Sequence, residues 1–160
     1  MPLWSFYTEL KKVLRVKKQR LLTEQQMEQD AERWIKGWKH EFSISDFSQP
    51  LSLINKDGMQ DASAILNELI TFCNERNMKP VLVLPPMYHT LAEKFDNTAR
   101  KVLLNDLVDK VEDKSVKFLN YMDDSRFSHD TTLFQDSFLL NGEGAKKFTK
   151  IVLKDIGVLK

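Results

Sequence analysis

The sequence predicts a small α/β domain, a three-layer sandwich of helices packed on a short parallel sheet. Three observations predict it. Two runs, KPVLVL at 79–84 and VKFLN at 116–120, are apolar without alternation, as strands covered on both faces are. Segments with apolar residues at three- and four-residue steps lie before, between and after them. The order helix, strand, helix, strand, helix implies a right-handed crossover between parallel strands.

The first helix is expected over 3–18, where Leu3, Phe6, Tyr7, Leu10, Val13 and Leu14 share a stripe. Its other side carries Lys11, Lys12, Arg15, Lys17, Lys18 and Arg20. A solvated face accounts for this. The sharper reading is an arm lying on an acidic membrane surface or an anionic polymer. Thr23, followed by Glu24 and Gln26, predicts a capped second helix reaching Trp38, with Met27, Ala31, Trp34, Ile35 and Trp38 inward. Residues 41–53 read as a connection, with a short extended piece at 42–45.

A third helix is expected from Lys56 or Asp57, fading over 74–77. Met59, Ala62, Ile65, Leu66, Leu69, Ile70 and Cys73 would form its buried side. The first strand stops at Pro85 and Pro86, which cannot continue a ladder. Met87, Tyr88 and His89 then stand just past its carboxyl end, where open α/β sheets bind ligands. A helix over 97–111, the second strand, a long polar loop and a helix over 142–156 complete the chain. Residues 1–50 form a helical N-terminal arm, and 51–160 the α/β portion.

The 160 residues suffice for one domain with a core. A formal charge of +1 gives no global field for nucleic acid. The single cysteine, Cys73, excludes an internal disulfide and a cysteine metal cluster. No apolar run is long enough to span a bilayer, and no signal-peptide core is present. The histidines at 40, 89 and 129 lack metal-ligand spacing, and no glycine-rich phosphate loop follows either strand. Neither a metal nor a cofactor is therefore expected.

Three segments carry chemistry: Val81 to His89 (VLVLPPMYH), Asp123 to Phe127 (DDSRF), and Asp136 to Ala145 (DSFLLNGEGA). Taken in order they resemble the C-terminal part of the SGNH (GDSL-like) hydrolases and acyltransferases. The resemblance covers about residues 55–157 and is nearest the branch of the D-alanyl-lipoteichoic-acid transfer protein. There the last block looks like an Asp, two residues, a His, then Leu-Asn, two residues and Gly-Ala. Asp136 falls on the catalytic acid, Leu140-Asn141 on Leu-Asn and Gly144-Ala145 on Gly-Ala, but the histidine position is Leu139. No Gly-Asp-Ser nucleophile block is found either.

The resemblance implies a truncated SGNH-like or flavodoxin-like fold and ester hydrolysis or O-acyl transfer on cell-envelope glycans or teichoic acids. It also implies an extracytoplasmic or membrane-associated setting. Leucine cannot accept a proton, so loss of both base and nucleophile argues for a scaffold used in binding or assembly. His129 and His89 are the candidates to replace the missing base. Pro86, Met87, Tyr88 and Asn141 are the candidate substrate contacts. An exposed sheet edge predicts self-association or a partner subunit. Two alternatives stand beside this reading: part of an active envelope acyltransferase or esterase, and an unrelated flavodoxin-like regulatory module.

Overall fold

The computed structural model describes residues 21–47 and 53–159, so the helix expected over 3–18 lies outside the described residues. Helix α1, Glu24–Glu41, begins where the sequence signal placed it. The Thr23 side chain accepts from the Gln26 N–H, and the Gln26 side chain accepts in return from the Thr23 N–H. Two otherwise orphaned donors are thereby satisfied. Met27, Ala31 and Ile35 are buried, and Trp34 and Trp38 are half-buried beside them. The expected extended piece at 42–45 is absent. The chain turns off the helix instead, with Ser43 in the left-handed region at φ 52° and Ile44 N–H donating back to Lys39 O.

Helix α2, Leu53–Glu75, starts earlier than expected. Its inward face also differs. Ser63 and Ile70 are buried, and Asn67 and Asn74 on the same side are tethered to the turn at 110–113. Asn67 donates to Lys110 O and accepts from Glu112 N–H. Asn74 donates to an Asp113 carboxylate oxygen at 2.8 Å. With Ser63 and Ile70 turned inward and Asn67 half-buried beside them, the expected core residues Ala62, Ile65 and Leu69 face outward.

Strand β1, Val81–Leu84, pairs in parallel with β2, Lys117–Asn120, from Val81↔Lys117 to Leu84↔Asn120. The protein is thus a mixed α/β fold on a short two-stranded parallel sheet. All four β1 residues are half-buried, so the sheet is less covered than its apolar composition predicts. The crossover contains helix α3, His89–Ala92, which periodicity did not reveal. It continues through α4, Asn97–Arg100, a π turn over Lys101–Asn105, and α5, Asp106–Val108. The expected helix over 97–111 is therefore present but broken by the π turn.

After β2 comes a long loop with one 3₁₀ turn, Thr131–Leu133, then helix α6, Gly142–Asp155. Two buried clusters hold these pieces together, and α1 contributes to both. Ala31 and Ile35 pack with Phe47, Met87, Leu91 and Met122. Met27 packs with Tyr88, Phe127, Leu133 and Phe134. Fully burying each large apolar side chain contributes roughly 1.5–3 kcal/mol, so α1 is integral to the core.

Candidate functional site

The three sequence segments meet just beyond the carboxyl end of β1. Met87 N–H donates to Met122 O at 2.8 Å, Tyr88 N–H to Ser137 O at 2.9 Å, and His89 N–H to Ser128 O at 2.8 Å. The segment after the double proline is thus stitched in turn to the end of β2, to the Asp136 loop and to the acidic turn. Burial follows from this. Pro86, Met87 and Tyr88 are buried, and His89 is half-exposed at the rim.

Asp124 builds the acidic turn. Its backbone carbonyl accepts from Phe127 and Ser128 N–H, and its carboxylate is gripped by the Arg126 guanidinium. The hydrogen bond from Arg126 holds its carboxyl below the usual range, against the opposing effect of burial. Asp123 pairs with Arg100 at 2.8 Å. Both acids have structural partners, and among the described residues no cluster could hold a metal ion.

Asp136 occupies a turn of its own making. Its Oδ1 accepts from Phe138 N–H at 2.9 Å and Leu139 N–H at 2.8 Å, an Asx-type arrangement. A bridge between Phe134 and Leu140 closes the turn. Leu139, at the position where the resemblance has histidine, is exposed. No hydrogen bond or ion pair joins Asp136 to a histidine among the described residues. Ser137 is fully buried, and its N–H and Oγ both donate to Asp30 Oδ2, at 3.0 and 2.8 Å.

Asn141 caps α6. Its Oδ1 accepts from Glu143 and Gly144 N–H, and its Nδ2 donates to Thr132 O and Phe134 O. Every hydrogen-bonding position of that amide is engaged within the fold. Gly144 is required by close approach: a Cβ there would sit 2.0 Å from Leu133 O.

His89 and His129 come together, with ring centroids 4.5 Å apart and stacked. His89 Nε2 lies 2.7 Å from Glu24 Oε1, and Nδ1 lies 3.2 Å from Glu93 Oε1. The other Glu24 oxygen accepts from the Tyr88 hydroxyl at 2.5 Å. The Tyr88 hydrogen bond, then that of His89, lowers the Glu24 pKa. Burial, then Glu24, raises that of Tyr88. An acid-oriented imidazole therefore exists, with Glu24 as its acid. Neither Ser128 nor Ser137 offers it a hydroxyl, because Ser128 Oγ donates to Asp124 O and Ser137 Oγ to Asp30.

On the other side of Met87 lies an apolar cavity of about 650 Å³, walled by Trp38, Phe47, Phe95, Leu103 and Phe138. Its aromatic wall is continuous, since Trp38 packs on both Phe95 and Phe138.

Sequence reasoning missed Glu24, Asp30 and Glu93. Asp30 carried a usable signal. It lies three residues after Met27 and four before Trp34, within the apolar stripe of α1, where a carboxylate needs a buried partner. Glu24 carried none, as 65 residues separate it from His89. No family model, curated protein or solved structure matches the chain.

Proposed function

We propose that the chain is an SGNH-hydrolase-like domain, related to envelope ester hydrolases and O-acyl transferases, that has kept the scaffold and serves in binding or assembly. One observation carries this reading. The carboxylate at the catalytic-acid position is spent on the Phe138 and Leu139 N–H groups, beside a leucine where the base would stand. An acid so engaged shapes a loop rather than orienting an imidazole. The envelope-glycan or teichoic-acid ligand follows from the resemblance, and the apolar cavity beside Met87 offers a wall for its less polar parts.

A second reading has its own observation in Glu24 and His89, an acid–imidazole pair just past the carboxyl end of β1. In that reading the nucleophile is supplied from outside the described residues, within an active envelope esterase. p-Nitrophenyl acetate turnover separates the two. Background rates for the wild type, Asp136→Ala and His89→Ala support the scaffold. Turnover that falls about a hundredfold or more in His89→Ala supports the esterase.

A further inference from the structure

The outer face of α2 presents an apolar stripe with no cover among the described residues. Ile65, Leu69 and Phe72, spaced four and three residues apart, are 65%, 57% and 47% exposed. Beside the stripe runs a groove of about 430 Å³, lined by Glu68, Thr71, Phe72, Glu75 and Glu112. Arg76 lies over the Phe72 ring at 3.5 Å and 3.7 Å from Glu75. Among the described residues no cation pairs with Glu68 or Glu112. An apolar stripe bordered by carboxylates fits an amphipathic basic helix.

The chain carries such a segment. Residues 3–20 hold the apolar period of Leu3, Phe6, Leu10 and Leu14. Residues 1–20 contain six lysines and arginines against the single acid Glu9, leaving eighteen basic and twenty-two acidic residues in the rest. The placement allows a head-to-tail contact between copies. Glu24, where the segment joins α1, bonds to Tyr88 and His89 beyond the carboxyl end of β1. Glu75 and Glu112 instead precede the amino ends of β1 and β2, at the opposite end of the sheet.

We propose that the α2 face receives residues 3–20 of a second copy of this chain, a head-to-tail contact of apolar stripe on apolar stripe with the carboxylates facing the lysines. The contact does not depend on the catalytic history of the domain. Exposed pairs of this kind are screened within about 8 Å at physiological salt, so association weakens as salt rises.

The test is light scattering of the full chain across dilution, at low and high salt, with hydrogen exchange read over residues 3–20. The expected result is mass rising above 18.7 kDa with concentration, together with protection of the arm. Leu69→Lys, at an exposed site, should weaken association about tenfold or more. Charge reversal at Glu68 and Glu75 should do the same, and adding the reversal of Lys11, Lys12 and Arg15 should restore it. A single monomer at all concentrations overturns the proposal. So does association indifferent to Leu69→Lys, an arm protected within a monomer, or protection appearing only with anionic vesicles.

Discussion

Asp30 on α1 holds Ser137 by two hydrogen bonds to one carboxylate oxygen, across 107 residues of chain. The acid is only 10% exposed and also pairs with Arg33. The Asp136 turn, which the resemblance would make catalytic, is thus fixed from the helix at the start of the described chain. Ser137 O in turn accepts from Tyr88 N–H, so α1, the end of β1 and the Asp136 loop form one hydrogen-bonded unit.

Removing that acid should loosen the unit. Asp30→Ala strands a buried N–H and a buried hydroxyl, a loss of about 2–4 kcal/mol, since hydrogen bonds to charged groups and unsatisfied buried donors both weigh heavily. Ser137→Ala removes only the hydroxyl and should cost about 1 kcal/mol. Urea denaturation checks both, and the expected pattern is a lowered midpoint with an unchanged slope.

The pH dependence should have two limbs with named owners. Asp124 has its carboxyl lowered in the fold, chiefly by the hydrogen bond from Arg126. Its contribution is complete above its unfolded value, near pH 4, and is lost as pH falls through the depressed folded value. Tyr121 is raised from its ordinary 10 to about 12, by burial first and then by the hydrogen bond to Asp155. Its contribution is complete below about pH 10 and is lost as pH rises through the folded value. Arg126→Ala should shift the acid limb and, because the guanidinium opposes the rise at Tyr121, also move the alkaline limb to higher pH. Tyr121→Phe should remove its share of the alkaline limb, leaving that of Tyr88, and leave the acid limb in place. Thermal melting across pH is the measurement, and a phenolate absorbance rising well below pH 10 would count against the Tyr121 assignment.

How much of this the sequence carried depends on how local each cause is. The Thr23 cap and the stripe of Met27, Ala31 and Ile35 were legible because they involve neighbours on one helix. The two strands were legible from composition alone. The inward face of α2 was not, since apolar content favoured Ile65 and Leu69, while the side observed inward carries Asn67 and Asn74, whose partners lie about 40 residues away. The pairing of Glu24 with His89 was illegible for the same reason. Asn141 could have been read from its own surroundings, because an asparagine directly before a helix start is a cap by residue type.

Two glycines of α6 should respond oppositely to alanine. Gly144→Ala drives a Cβ against Leu133 O, a backbone atom that also accepts from Asn141 N–H. The strain should lower stability by about 3 kcal/mol, the upper end for overpacking. Gly142 is exposed, with nothing within 4 Å of a built Cβ. Gly142→Ala should raise stability by about 0.5 kcal/mol through a less flexible unfolded chain. Thermal denaturation of the pair, measured side by side, tests the packing of the Asn141 cap against the 3₁₀ turn.

Leu139→His tests whether a histidine at the position where the resemblance has one would make this chain a catalyst. Leu139 is 44% exposed, so the imidazole should be accepted with a change within about 0.5 kcal/mol. Its N–H would still donate to Asp136 Oδ1, and that oxygen already accepts from Phe138 as well. The second oxygen, Oδ2, would be left to meet the new ring. An acid–imidazole pair formed there gains no hydroxyl from Ser128 or Ser137, which donate elsewhere. The expected outcome is a folded variant with p-nitrophenyl acetate turnover no faster than free imidazole at equal concentration. A burst of acetylated protein would place a nucleophile within reach of residue 139 and overturn the scaffold reading.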